Sequence, residues 1–215
     1  GCGIWGRNLV RNFYNLGALK AVCDLDQSNL ENVLKDYPGV EATVDFNQLL
    51  IDDTIDGIVI ATPSHTHYKF VKAAVAAGKH VYVEKPIATS SKEAYELNQI
   101  AENNEKVLMV GHLLLYHPAV NRLKSIVEEG VLGNIVYVQS DRLNINFFRN
   151  DRSVMWDLAP HDLSMISYIL GLEPVSVKSA VGCSTHNNGI MDIVHLDINF
   201  PHNIHAHISN SWINP

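Results

Sequence analysis

Cysteine is scarce: Cys2, Cys23 and Cys183 are the only three, far apart and without a C-x-x-C pair. Such spacing offers neither a disulfide framework nor a thiolate zinc site, and a reducing, cytoplasmic setting is the expectation. Basic charge is short too, with 16 Lys and Arg against 23 Asp and Glu and a formal net charge of −7. With no Lys/Arg cluster, a nucleic-acid partner is not expected. Long apolar runs are missing. The longest, Val107 to Tyr116, is broken by Gly111 and His112 and is too short to span a bilayer, and no signal peptide precedes the first glycine, so no membrane association is expected. Internal repeats and low-complexity linkers are absent. The chain opens on Gly1 without an initiator Met and closes on Trp212-Ile213-Asn214-Pro215 just after an expected strand, from which truncation at both ends is the expectation.

What is present is ordinary globular material. A chain of 215 residues at 47% hydrophobic composition can bury a real core, in one large domain or two small ones. From Ala18 to Val110, short apolar runs (Ala18 to Cys23, Gly57 to Ala61, His80 to Val83, Val107 to Val110) alternate with helical spacing over Gln27 to Asp36, His67 to Ala77 and Ser90 to Asn104. That rhythm predicts a parallel sheet covered by helices. After Gly111 it changes. A helix over Pro118 to Glu129 precedes a half-exposed strand over Ile135 to Asn146, a helix from about Pro160 to Leu170, and strands at Val175 to Val181, Asp192 to Phe200 and Ile204 to Trp212. This second part reads as α+β with an antiparallel sheet, beginning near His112.

Gly1-Cys2-Gly3-Ile4-Trp5-Gly6 matches G-x-G-x-x-G. In that pattern one glycine makes a tight turn, the next lets backbone approach a pyrophosphate, and the third lets a helix pack closely, here Arg7 to Leu16. The N-terminal N–H groups of such a helix face phosphate oxygens. A plain turn is the competing reading, because the strand that should precede the loop is not in the chain. The strand-like run Ala18 to Cys23 ends in Asp24, at the distance expected of an acid that binds the adenosine ribose. Its carboxylate would accept from the ribose hydroxyls and repel a 2′-phosphate, and Leu25 rather than Arg follows, so NAD is favoured over NADP. Alternatively Asp24 only starts a turn with Asp26. The fold class expected is therefore α/β: a Rossmann dinucleotide-binding domain over residues 1–111 lacking its first strand, then an incomplete α+β domain over residues 112–215 with a mostly antiparallel sheet.

Two further turns reach the carboxyl edge of the first sheet, where α/β folds bind ligands: Ala61-Thr62-Pro63 with His67, and Glu84-Lys85-Pro86. A Lys there can hydrogen-bond a substrate hydroxyl and stabilise alkoxide character, or it is a solvated loop lysine. Asp157 and His161 stand four apart, which puts them on one helical face if both are helical. Pro160 suggests that the helix starts between or just before them, with His161 in its first turn and kept neutral by the helix N-terminus. Asp157 as a simple N-cap is the bland alternative. His205 and His207 share a strand face as a possible metal pair. No acid or cysteine completes it, and no metal site is expected. Met155 and Trp156 read as core or pocket wall.

Together, Gly1, Gly3 and Gly6, Ala61-Thr62-Pro63 with His67, Glu84-Lys85-Pro86, and Asp157-Leu158-Ala159-Pro160-His161-Asp162 resemble the Gfo/Idh/MocA oxidoreductases across essentially the whole chain. The resemblance implies a catalytic Lys85 near the nicotinamide, a Lys85-Pro86 bond that is often cis, and catalytic Asp157 and His161. It implies cofactor contacts at Gly1, Gly3, Ile4, Trp5, Gly6, Asp24, Ala61, Thr62, Pro63, His67, Glu84 and Lys85. The mechanism it suggests has a sugar hydroxyl giving its proton to His161 beside Lys85 while hydride passes to NAD. Ser153 to Ile166 and Ser211 to Pro215 look most like the branch that oxidises the 3-hydroxyl of UDP-N-acetyl sugars. Inositol or aldose oxidation, or a non-catalytic regulator of the same fold, are the alternatives, and a homo-oligomer is implied for the full-length protein.

Overall fold

The computed structural model describes residues 1–145, 153–185 and 189–214 of the chain. The chain divides into two compact units, Gly1–Gly111 and His112–Pro215. The expected strand end at Asn146 and the terminal Pro215 lie outside the described residues.

The first unit alternates helix and strand: α1 (Gly6–Asn15), β1 (Ala21–Cys23), α2 (Gln27–Asp36), β2 (Glu41–Thr43), α3 (Phe46–Ile51), β3 (Gly57–Ile60), α4 (His67–Ala76), β4 (His80–Val83), α5 (Ser91–Asn103) and β5 (Leu108–Val110). β1 pairs with β2, and β3, β4 and β5 pair in that order, all parallel. The helices start where local chemistry sets them. Asp26 accepts the Ser28 N–H ahead of α2, Asp45 the Asn47 N–H ahead of α3, and Ser90 the Glu93 N–H ahead of α5. Each satisfies an orphan donor, a contribution of about 1 kcal/mol per cap. Ile58, Ile60, Val81 and Val83 on the strands bury against Val71, Ala74 and Val75 of α4 and Leu97 and Ala101 of α5. A fully buried residue of this kind stabilises by roughly 1.5–3 kcal/mol, so the sheet needs its helices. Cys2, Val10, Val22, Leu30, Val33 and Val40 form a smaller core around β1.

β2 and α3 were not anticipated by the apolar pattern. Glu41 and Ala42 are exposed, so β2 carries no period to read, and it forms by backbone pairing with β1. α3 spans six residues and packs Phe46, Leu49 and Leu50 on the core after the Asp45 cap, a period too short to stand out along the chain.

The second unit contains α6 (Pro118–Glu128), β6 (Tyr137–Leu143), α7 (Val154–Leu170), β7 (Ser176–Cys183), β8 (Ile193–Phe200) and β9 (Ile204–Ser211). The sheet order is β6-β9-β8-β7, antiparallel except for β6 with β9. Val194, Leu196, Ile198 and Phe200 alternate inward along β8 and meet Val154, Ala159 and Ile166 of α7, Ala206 and Ile208 of β9, and Trp212. α7 starts six residues before the expected Pro160. Pro160 withholds the N–H that would bond the Trp156 carbonyl, which ordinarily breaks a helix. Here Val154 and Ala159 before it and Ile166 after it are buried, and the Val154 N–H bonds the Met191 carbonyl at 3.0 Å. Packing overrides the local cost. The chain is thus α/β, a Rossmann-like unit followed by a unit with a mixed sheet.

Candidate functional site

Because its strands run parallel, the first unit collects their carboxyl ends on one edge. The glycine loop lies there, joined to both sheets. On one side Cys2 is buried, and its backbone N–H donates to Asp24 Oδ2 at 2.5 Å, just past β1. On the other, a Cβ added to Gly1 would stand 2.9 Å from the Ala61 carbonyl oxygen, past β3. Gly6, which opens α1, is tighter still: its Cβ would lie 2.1 Å from the Gly1 oxygen. Gly3 differs, with nothing within 4 Å of the same added atom. The loop is therefore closed against protein at its two ends and open in the middle. α1 has no side chain capping its N-terminus and no acid in its first turn, so its positive end suits an anion. A pyrophosphate fits this donor set.

Asp24 accepts from the N–H groups of Cys2 and, at 2.8 Å, Asp26. Burial pulls its carboxyl upward, yet these backbone bonds outweigh it and hold Asp24 below the ordinary aspartate range. Both alternatives for this residue are thus partly visible: it organises the turn, and as a carboxylate with about four acceptor sites it retains capacity for a ligand hydroxyl. Burial is the main cause pushing the Cys2 and Cys23 thiols up, so neither is a thiolate nucleophile. All three cysteines are free.

The two remaining turns are stapled to each other. His67 is 1% exposed, with Nδ1 at 2.7 Å from the Pro86 carbonyl oxygen and Nε2 at 2.8 Å from that of Thr62. The sequence suggests His67 as a cofactor contact. In the structure both of its ring nitrogens are engaged by the two turns. Thr66 closes the Thr62-Pro63 turn, its Oγ1 2.7 Å from Thr62 Oγ1 and donating to the Pro63 carbonyl. The Lys85-Pro86 bond is cis. Glu84, 8% exposed, receives the Trp5 indole N–H at 2.6 Å and the Tyr82 hydroxyl at 3.2 Å, both on Oε1. Lys85 follows it and is half-buried. Sequence reasoning placed Trp5 and Glu84 in the site but missed that they touch. They lie 79 positions apart, and no local pattern encodes such a pair.

In the second unit Asp157 and His161 are both helical, on α7, so their spacing does put them on one face. Two expectations change. Ser153 rather than Asp157 is the N-cap, and His161 is the eighth helical residue, beyond the first turn in which the helix dipole acts most strongly. Asp157 is buried, in the first turn. Asp162, next in the chain, is 0% exposed and gathers Ser140 Oγ at 2.9 Å, Arg142 Nη2 at 3.1 Å and Asn210 Nδ2 at 2.8 Å. These bonds fix the turn of helix that carries His161. The sequence marked Asp162 only as part of a motif, and its partners come from other strands.

The late histidines are occupied across the sheet. His207 pairs with Asp197 and His205 with Asn199, each Nδ1 2.8 Å from its partner and each in register between β8 and β9. Asp197 is an acid that sequence reasoning did not find. Even so, no group of three or more His, Cys, Asp or Glu able to hold a metal exists among the described residues. Trp156 is exposed, whereas Met155 packs on the core. Among the described residues no helix is long and apolar enough to cross a membrane.

Comparison with known proteins agrees with this geometry. Residues 1–112 match the model of an oxidoreductase family with an NAD-binding Rossmann fold, and residues 120–215 match the GFO/IDH/MocA C-terminal domain. The chain is 31% identical over 188 residues to a UDP-N-acetylglucosamine 3-dehydrogenase of Acidithiobacillus ferrooxidans, covering 85% of this chain and 56% of that protein. It is 26% identical over 216 residues to the NADP(+)-linked scyllo-inositol 2-dehydrogenase of Bacillus subtilis, covering 92% and 59%. A crystal structure of a putative myo-inositol dehydrogenase from Sinorhizobium meliloti superposes with a TM-score of 0.90 at 24% identity, over 99% of this chain and 68% of that one, and so shares the fold. The chain spans about half to two thirds of the length of the curated relatives it matches. With a glycine loop shut at both ends and open in its middle, and with models matching on either side of residue 112–120, this chain belongs to the Gfo/Idh/MocA oxidoreductase family.

Proposed function

We propose that the protein is an NAD-dependent dehydrogenase that oxidises a sugar or nucleotide-sugar hydroxyl. The observation that carries this reading is the glycine loop: Gly1 and Gly6 are closed by backbone, Gly3 is left open, and Asp24 is fastened beside them. Gly1, Gly3, Ile4, Trp5, Gly6 and the start of α1 hold the pyrophosphate, and Asp24 takes the adenosine ribose. Ala61, Thr62, Pro63, Glu84 and Lys85 line the nicotinamide end, with His67 fixing two of these turns. NAD, when bound, supplies the acceptor for the hydrogen and electron pair leaving the substrate carbon.

The chain's own residues manage the proton and the charge. The Lys85 ammonium donates a hydrogen bond to the substrate oxygen and stabilises its growing negative charge. His161 accepts the hydroxyl proton, and Asp157 orients it or binds a neighbouring hydroxyl. Asp24 and the absence of a following Arg favour NAD over NADP, although one relative is NADP(+)-linked. Among substrates, the 3-hydroxyl of a UDP-N-acetyl sugar draws support from the 31% identity to a UDP-N-acetylglucosamine 3-dehydrogenase, and an inositol from the NADP(+)-linked relative. A cytoplasmic homo-oligomer completes the proposal.

The test is absorbance at the reduced-nicotinamide band with the full-length protein, offering NAD or NADP with UDP-N-acetyl sugars, inositols and aldoses. Reduction with one sugar class establishes the activity and selects the substrate. Lys85→Ala and His161→Ala should each lose about 10²- to 10⁴-fold in turnover while still binding NADH. Wild-type turnover in both variants refutes their roles, and cofactor binding without turnover on any sugar points to the regulator.

A further inference from the structure

Trp5 occupies the fifth position of the glycine loop, where its side chain caps nothing. It reaches across the site instead. Its indole N–H donates to Glu84 Oε1 at 2.6 Å, a short hydrogen bond to a carboxylate oxygen. Glu84 has little freedom to answer differently. Its backbone N–H bonds the Ile60 carbonyl at 2.9 Å, Tyr82 donates to the same Oε1, and a Cβ at Gly111 would fall 2.8 Å from that oxygen. Both side-chain donors converge on one oxygen of a carboxylate that is more than nine-tenths buried. The other oxygen keeps its acceptor capacity.

Resting on the cofactor reading above, we propose that Trp5 is a positioning residue that acts through Glu84. Its single N–H joins the loop that faces the pyrophosphate to the turn that carries Lys85. The two ends of the dinucleotide site are thereby set relative to each other before any cofactor arrives. Such preorganisation removes an ordering cost from binding. Losing the N–H leaves a buried carboxylate with Tyr82 alone. The loop and the turn are then no longer held to each other through this carboxylate.

Trp5→Phe is the probe, since it keeps the ring and removes only the donor. Trp5 is 44% exposed, so the change does not threaten the core. NADH and NAD affinities of the chain are measured by calorimetric titration, with thermal unfolding in parallel. The expected result is binding weaker by about tenfold, the size of one such hydrogen bond, with a modest fall in unfolding temperature and a single cooperative transition retained. In a Glu84→Ala background, Trp5→Phe should cost nothing further, because the partner through which it acts is gone. Unchanged affinity in Trp5→Phe, or losses that add in the double variant, overturn the inference while leaving the cofactor reading intact. A wild-type chain that binds neither NADH nor NAD overturns both.

Discussion

Replacing Asp162 by Ala tests whether a buried charge cluster holds the helix that carries His161. The carboxylate is 0% exposed and receives Ser140, Arg142 and Asn210. Breaking a fully buried ion pair costs about 3–5 kcal/mol, most of it from the charge left behind. The group left behind here is Arg142, whose side chain is 31% exposed and can rehydrate, which trims that figure. Asn210 cannot do so: it is 0% exposed, and its Oδ1 already has no partner among the described residues. Its Nδ2 keeps only the longer 3.3 Å bond to the Ser209 carbonyl, and an amide donor so weakly satisfied adds about 1 kcal/mol. The two corrections oppose each other, and a net loss of about 3–4 kcal/mol is expected. Urea unfolding followed by the fluorescence of Trp212, wholly buried in the second unit, reads that loss. A loss under about 1 kcal/mol would mean that the cluster is worth no more than a surface ion pair, and would refute the argument.

Gly3→Ala and Gly6→Ala should separate ligand space from protein space. Gly6→Ala drives a methyl into the Gly1 backbone and should abolish NADH binding and lower the unfolding temperature of the chain. Gly3→Ala meets nothing in the free protein, so thermal unfolding should be unchanged while NADH titration shows weakened binding; unchanged binding would mean that no ligand approaches there. Asp24→Asn should let NADP compete with NAD in binding assays, since the negative charge that repels a 2′-phosphate is gone. Asp24 also carries a pH signature. Its folded value is depressed, so its contribution is fully present above the unfolded value and fades as pH falls through the folded one. Acid unfolding curves of wild type and Asp24→Asn should therefore converge at low pH, and a gap that widens in acid would contradict the assignment.

Periodicity located the elements whose residues bury one face. α2 runs Gln27–Asp36 and β4 His80–Val83, as their spacing predicts. Local chemistry likewise announced the glycine loop and the two polar turns, because tight approach and capping are properties of a few adjacent residues. By itself, then, the sequence determined the alternating first unit, the mostly antiparallel second one, and the residue types at the edge of the parallel strands. What depended on distant partners stayed hidden. The early start of α7 despite Pro160 needed Val154 buried and bonded to Met191. The Trp5–Glu84 bond, the His67–Pro86 bond and the closure around Asp162 join segments roughly 20 to 80 positions apart, for which spacing along the chain holds no signal. Only the tertiary structure decided these, since a hydrogen bond between remote residues exists once packing has brought them within 3 Å and excluded the water that would otherwise satisfy them.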